Sequence, residues 1–213
     1  MSVIWDGDYG YAAYRKILDY LKYSFSLNYL IREIPQILSQ IHRPKFIIRH
    51  DVTSNPGKAV AMAEIEHELS VAAAYMFDIS SEDYHPARGE TPDAIERIRG
   101  LGHEVGLFFS CTEFEEGRAP SPEAIDGAVR RSCLELEKAF RHPVFSVSLP
   151  NPHPEIPGRS LFLGSKVNAA SPLMMDWFLS DTSPPWKSDE IAPRPSKPYE
   201  ALLQILIHPH LWG

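Results

Sequence analysis

Short apolar runs alternate with segments of helical periodicity through the first two thirds of the sequence. This rhythm constrains the fold more than any other feature. The apolar runs predict strands at 46–50, 71–79, 103–109 and 144–149. The intervening segments predict helices at 57–70, 92–102 and 121–140, after an earlier helix at 10–23. Strands that alternate with helices are typical of βαβ units, so we expect a parallel sheet with right-handed crossovers.

The regular pattern fails after Leu149. Ten of the 19 prolines lie between Pro150 and Pro198. In this part of the chain we predict a strand at 175–180, a helical turn at 199–203 and a last strand at 204–208. No shift in composition marks a boundary, so we treat residues 1–213 as a single domain with an irregular proline-rich stretch at 150–198.

Length and charge exclude several classes of protein. A chain of 213 residues is shorter than the roughly 250 residues of a complete eight-fold β/α barrel. A net charge of −7 does not fit a nucleic-acid partner, which requires a basic stripe. The sequence has no apolar run of about 18 residues and no signal-peptide pattern, so we expect no membrane association. Cys111 and Cys133 are then expected to be reduced core thiols in a cytoplasmic protein.

In parallel α/β folds, functional groups gather where the strands end. The ends of the predicted strands carry five polar segments, at 49–53, 106–110, 148–151, 180–182 and 207–210. The G-x-S-x-G motif of serine hydrolases and the glycine-rich motifs of nucleotide-binding proteins do not occur. The candidate chemistry therefore rests on the strand ends.

Four of these segments resemble the motifs of one family in the right order. RHDVTSNP at 49–56 resembles R-H-D-V-D-x-x-P, and GHEVGLFFS at 102–110 resembles G-H-E-I-G-L-H. FLSDTSPPW at 178–186 and ILIHPHLWG at 205–213 resemble the later D-[ST]-x-x-x-W and H-P-x-x-W segments. From about Asp6 to its end, the chain resembles the polysaccharide deacetylases of the NodB-homology class, carbohydrate esterase family four. The resemblance implies an α/β fold, a distorted and incomplete (β/α) barrel with fewer than eight strands.

The resemblance also implies a chemistry, the metal-assisted hydrolysis of an N-acetyl group on a sugar. An aspartate acts as base toward a metal-bound water, and a histidine near the carboxyl terminus protonates the leaving amine. Asp51 matches the base and His208 matches the acid. Asp181 and Trp186 match a substrate-binding segment, and Asn151 falls in the substrate loop.

The positions that bind the metal in this family carry other residues here. Thr53 stands where the family has a carboxylate, and Phe108 and Thr112 stand where it has histidines. A neutral hydroxyl is a poor ligand for a hard cation, and a phenyl ring is no ligand at all. We therefore expect no metal cofactor, and a zinc-like divalent metal only if other ligands rearrange around it.

Two functions remain open. The first is a deacetylase-like hydrolase of C–N bonds in carbohydrate metabolism, with Asp51 and His208 acting on a sugar or a small acylated metabolite. The second is a non-catalytic pseudoenzyme that binds a carbohydrate or small metabolite through Asp181, Trp186 and His208. Two alternatives concern single residues. The alternative for Trp186 is a place in the core. His208 and His210 would share a metal-binding face if both lay on a strand. For His50 we expect a packing role or a salt link.

Overall fold

The computed structural model describes residues 2–38, 44–80, 89–111, 114, 120–149, 160–192 and 202–213. Its α-helices are α1 (Tyr11–Ser24), α2 (Ile34–Ile37), α3 (Pro56–Glu68), α4 (Thr91–Gly100), α5 (Pro122–Phe140) and α6 (Ser188–Ile191). Its strands are β1 (Val3–Trp5), β2 (Leu27–Asn28), β3 (Lys45–Val52), β4 (Ala74–Asp78), β5 (Glu104–Phe108), β6 (Ser146–Ser148), β7 (Phe162–Leu163), β8 (Lys166–Asn168), β9 (Trp177–Ser180), β10 (Trp186–Lys187) and β11 (Leu202–Ile207).

The main sheet is largely parallel and does not close on itself. Its strand order is β7-β8-β6-β5-β4-β3-β11-β9, with β2 paired beside the start of β3. Every neighbouring pair from β8 to β9 is parallel, whereas β7 forms an antiparallel hairpin with β8. Within the described residues, the two edge strands β7 and β9 do not pair with each other. The sheet is therefore an incomplete barrel, as predicted, but its described residues form nine strands and not fewer than eight.

Apolar side chains cover both faces of the sheet. On the outer face, strand residues such as Ile48 and Leu107 join a large core with the helices, to which Leu18, Met62, Ile98 and Val129 contribute. On the inner face, Ile47, Ala74 and Met76 form a smaller cluster with Val167 and Leu202. This double burial explains why β3 is buried at every residue and why the strands appear in the sequence as continuous apolar runs.

One glycine is required inside the barrel. A Cβ atom on Gly106 of β5 would lie 2.3 Å from the sulfur of Met76 and 2.9 Å from the carbonyl oxygen of Ser146. The Met76 side chain occupies the space that a larger residue would need. The interior is therefore closely packed below the carboxyl ends of the strands.

A buried polar cluster joins the outer face of the sheet to the helices. Glu66 of α3 accepts hydrogen bonds from the hydroxyls of Tyr14, at 2.5 Å, and Tyr75, at 2.6 Å. Its carboxylate also lies 2.7 Å from Nε2 of His50. His103 donates from Nε2 to the carbonyl oxygen of Ala63 and accepts at Nδ1 from the amide of Ala73. The predicted salt link of His50 is confirmed, and His103 has a structural role.

The predicted strands and helices of the regular part are confirmed, with ends displaced by a few residues. The prediction of a helical turn at 199–203 is wrong at Leu202 and Leu203, which belong to β11, and 199–201 lie outside the described residues. In the proline-rich stretch, the described part contains β7, β8 and β10 in addition to the one predicted strand. Such two- and three-residue strands are too short to show a periodic pattern.

Two further findings concern the cysteines and membrane-spanning helices. Cys111 and Cys133 are both buried, as predicted. No helix in the described part of the chain has the length and hydrophobicity needed to cross a membrane.

Candidate active site

The parallel strands bring three of the predicted site residues to one end of the barrel. Asp51 lies near the carboxyl end of β3, His208 directly follows β11, and Asp181 directly follows β9. Since β11 pairs with both β3 and β9, these residues come from adjacent strands. Asp51 and His208 are close enough for the charge of each to shift the pKa of the other.

Asp181 is a fully buried carboxylate that holds His208 in place. Its Oδ1 lies 2.6 Å from Nδ1 of His208, and its Oδ2 accepts from the His208 backbone amide at 2.7 Å. Trp212 donates from its indole Nε1 to the same Oδ2 at 2.9 Å. With its side chain 0% exposed, Asp181 cannot touch a ligand, which corrects its predicted role in substrate binding. It positions the imidazole instead.

This arrangement makes His208 a stronger base than an ordinary histidine. Burial lowers the pKa of His208, but the hydrogen bond and charge of Asp181, together with the charge of Asp51, outweigh burial and raise it. Because Nδ1 is bonded to Asp181, Nε2 is the nitrogen available to a ligand. The side chain remains 22% exposed. His208 can therefore donate or accept a proton at the mouth of the barrel.

Asp51 forms a buried ion pair with Arg49 of the same strand. The guanidinium Nε lies 3.2 Å from Oδ1 of Asp51, and Nη2 donates to Oδ2 at 3.3 Å. Both side chains are almost completely buried. Burial raises the pKa of Asp51, and the charges of Arg49 and His208 only partly oppose this. The carboxylate thus faces the barrel interior with a cation already beside it.

Arg49 also connects distant parts of the barrel, a role that sequence reasoning missed. Its Nη1 donates to Oε1 of Gln204 at 3.1 Å, and Gln204 donates from Nε2 to the carbonyl oxygen of Ala169 at 2.9 Å. These bonds join β3 to β11 and to the residue after β8. Side chains alternate along β3, so residues 49 and 51 lie on the same face of the sheet. This alternation could have predicted that Arg49 belongs to the site of Asp51.

The expected metal positions do not provide a metal site. Phe108 ends β5 and lies in register with Asp78 of β4 and Ser148 of β6. Thr53 follows β3 and is partly exposed. Asp78, which the sequence analysis did not single out, uses Oδ1 to accept from the amide and hydroxyl of Ser80. Within the described residues, no three His, Cys, Asp or Glu side chains are placed to hold a metal ion. Phe108 and Thr53 therefore do not fit the metal that the resemblance implies.

Trp186 belongs to the core, so its predicted place in the wall of a sugar site is wrong. It is 1% exposed and donates from Nε1 to the carbonyl oxygen of Ser180 at 3.0 Å. Its ring contacts Trp5 edge to face, and Trp5 stacks on Trp212 at 5.4 Å. Tyr9 completes this aromatic cluster and donates to the carbonyl oxygen of Asp181 at 2.6 Å. The cluster supports Asp181 from behind the site.

Of the three predicted residues that remain, the structure describes only His210. Asn151 and Thr112 lie outside the described residues. His210 lies in a 3-10 turn after β11, with its ring centroid 5.9 Å from that of His208. The shared strand face that a pair of histidine ligands requires is therefore not present.

The fold is similar to that of several solved esterases and deacetylases. A CE4 esterase from Streptococcus mutans superposes with a TM-score of 0.56 at 13% identity, covering 85% of this chain and 79% of that one. The Streptococcus pyogenes deacetylase PplD, solved with acetate, gives 0.49 at 14% identity, with 92% and 80% covered. BA3943, a CE4 family pseudoenzyme from Bacillus anthracis, gives 0.42 at 14% identity, with 78% and 56% covered.

Of these three structures, the Streptococcus mutans esterase has a TM-score above 0.5. TM-scores below 0.5 support no inference, and identities this low bear on the fold alone. No protein-family model matches the sequence, and no curated protein sequence matches it. The match to the Streptococcus mutans esterase agrees with the strand order and the open barrel described above. The chain therefore has the fold of the CE4 carbohydrate esterases, the NodB-type polysaccharide deacetylases.

Proposed function

We propose that this protein is a deacetylase-like pseudoenzyme of carbohydrate metabolism. It binds a carbohydrate or a small acylated metabolite at the carboxyl end of the barrel and does not carry out metal-dependent N-deacetylation. The observation that carries the proposal is Phe108, the last residue of β5. Its phenyl ring stands where the family has a metal-binding histidine. Thr53, which follows β3 on the other side of β4, offers only a neutral hydroxyl. With Asp51 paired to Arg49, the part of the chain that the structure describes does not assemble the donors needed for a hard cation.

His208 supports the binding part of the proposal. Its imidazole is held rigidly by Asp181, so little conformational entropy is lost when Nε2 bonds to a ligand hydroxyl or carbonyl. The fold is that of an esterase of carbohydrates, which motivates sugars as the first ligands to test. A cytoplasmic location is part of the same proposal.

Metal analysis of the purified protein tests the loss of the metal site. We expect no stoichiometric zinc, cobalt or nickel after incubation with each metal and removal of the excess. Thr53→Asp combined with Phe108→His should create zinc binding, because it adds a carboxylate after β3 and an imidazole at the end of β5, two strands that flank β4. Thr53→Asp combined with Phe108→Leu is the matched control. Stoichiometric metal in the unmodified protein, lost on Asp51→Asn, would contradict the proposal.

Binding and turnover of chitooligosaccharides test the function directly. We expect binding without release of acetate, and a loss of roughly tenfold in affinity on His208→Ala, which corresponds to about 1.4 kcal/mol. His67→Gln is the control, since His67 bonds to the carbonyl oxygen of Leu101 on the outside of the barrel. Acetate release that requires added metal would rule out the pseudoenzyme.

A metal-independent hydrolase is the second candidate, and the Asp181–His208 pair is the observation that favours it. In such a reaction, Nε2 of His208 would take a proton from water while the water oxygen attacks the acyl carbon. The same proton would then pass to the departing amine, leaving acetate and the amine as products. Acetate release that persists in a metal chelator and disappears on His208→Gln would support this candidate over the binding protein.

A further inference from the structure

A cavity lies at the opposite end of the barrel from Asp51 and His208. It has a volume of about 340 Å³, within the range of small-molecule sites, and is bounded by α4, by the end of α5 and by the residues that lead into β5 and β6. Its lining includes Arg32, Arg99, His142 and Phe145. Because β5 and β6 begin beside this cavity, it lies at the amino ends of the strands.

The cavity is rich in positive charge although the protein as a whole is acidic. Arg32 and Arg99 both line it, whereas the chain carries a net charge of −7. Among the described residues, no carboxylate lies within ion-pair distance of the Arg32 guanidinium. The nearby carboxylate of Glu104 is occupied by the hydroxyl of Ser146 and the backbone amide of Arg32. Arg32 therefore retains its donors for another partner.

The second arginine is only partly neutralised. Arg99 pairs with Glu96 of the same helix at 2.7 Å, and that pair is exposed to solvent. Glu96 is shared, since His142 lies 3.9 Å from its other oxygen. An exposed pair contributes little to stability, so an anion could compete with Glu96 for Arg99.

An apolar surface lies next to these charges. The Arg32 guanidinium lies over the Phe145 ring at 5.8 Å from its centroid, and Phe145 is 46% exposed. Phe140, Val144 and Ile95 form the buried wall behind it. Stacking on an aromatic ring restrains the planar guanidinium, which favours two parallel hydrogen bonds to a carboxylate or phosphate.

We propose that this cavity binds a small organic anion, with a carboxylate or phosphate held by Arg32 and Arg99 and an apolar body packed on Phe145. The site is separate from the one that contains His208. It gives the protein a second ligand site at the amino ends of the strands. A ligand bound there would make no direct contact with His208.

Phenyl phosphate, benzoate and inorganic phosphate are suitable probes, titrated into the full chain and followed by NMR and calorimetry. We expect phenyl phosphate to bind with 1:1 stoichiometry and to shift the signals of His142 and Phe145. Inorganic phosphate should bind more weakly because it lacks the apolar body. Benzoate distinguishes a preference for carboxylate from one for phosphate.

Arg32→Gln and Arg99→Gln should each weaken phenyl phosphate binding by tenfold or more. Arg97→Gln is the matched control, because Arg97 lies on the same helix but pairs with Glu64 outside the cavity. Binding of equal strength in Arg32→Gln and in the unmodified protein, or no binding of either organic probe at millimolar concentration, would overturn the proposal. Chitooligosaccharide binding should not change in Arg32→Gln, so failure here is distinguishable from failure of the proposed function.

Discussion

At the scale of single residues, His208 shows how a motif residue depends on a neighbour that never meets the ligand. Asp181 was predicted as a contact residue because it stands in a recognisable segment. In the structure it is sealed behind His208, with three hydrogen bonds to its two oxygens. The sequence could identify Asp181 and His208 but not which of the two is accessible to a ligand.

We predict that Asp181→Asn lowers the pKa of His208, because the negative charge beside Nδ1 is removed. NMR titration of the ring protons measures this directly. Since the folded-state pKa is raised, the stability that His208 contributes is fully present below the unfolded value of about 6.5 and is lost as pH rises through the folded value. The variant should lose that pH dependence.

Asp176→Asn serves as the control for this prediction. Asp176 lies just before β9 and caps the backbone amide of Leu202, at the other end of the strand from His208. It should leave the His208 titration unchanged. An unchanged titration in Asp181→Asn would show that Asp181 does not set the charge of the imidazole.

The Arg49–Asp51 pair is a second case at this scale. We predict that Arg49→Met destabilises the protein by about 3–5 kcal/mol, because Asp51 becomes a buried charge without a partner. Adding Asp51→Leu should recover a large part of that loss, since the unpaired charge is then removed. Urea denaturation of both single variants and the double variant measures the coupling, and additive effects would mean that the pair contributes no interaction.

At the scale of elements, the Glu66 cluster joins α3 to α1, β3 and β4. Burial raises the pKa of Glu66, but the charge and hydrogen bond of His50, with His103 and Tyr14, outweigh burial and lower it. The stability that Glu66 contributes is therefore present above its unfolded value of about 4.3 and is lost as pH falls through the folded value.

We predict that Glu66→Gln costs about 1–3 kcal/mol at neutral pH, because hydrogen-bond donors are left without a charged acceptor. The difference from the unmodified protein should shrink below about pH 4.3. Glu68→Gln is the control, because Glu68 is exposed and pairs with Arg15 at the surface. A difference that stays constant with pH would contradict the assigned charge of Glu66.

The starts of two helices were predictable from local sequence signals. Proline at the first turn and a capping side chain mark the starts of α3 and α5, where Asn55 and Ser121 accept from amides three residues on. Strands β7, β8 and β10 contain two or three residues each and have no comparable signal. They form because neighbouring strands provide partners for their backbone hydrogen bonds.

At the scale of the whole molecule, the open barrel needs bonds across its interior in place of a closing pair of strands. The chain of hydrogen bonds from Arg49 through Gln204 to Ala169 connects the middle of the sheet to the β8 side. We predict that Gln204→Leu destabilises the protein by about 1–3 kcal/mol, because Arg49 and the Ala169 carbonyl lose buried partners.

Hydrogen exchange tests this role of Gln204. Amides of β8 should exchange faster in Gln204→Leu, whereas those of α3 should not change. A uniform increase over all elements would indicate a general loss of stability and not a loss of the connection across the barrel.

The sequence by itself determined the parallel α/β architecture, the open barrel and the absence of metal-ligand residue types at 53 and 108. Local periodicity predicts the parallel sheet, whereas the open barrel and the significance of positions 53 and 108 are implied by the resemblance to the NodB-homology class. Only the tertiary structure decided that Trp186 and Asp181 are buried, that Arg49 pairs with Asp51, and that two arginines share a cavity at the far end of the barrel. Those properties depend on contacts between residues distant in the chain, which no local pattern specifies.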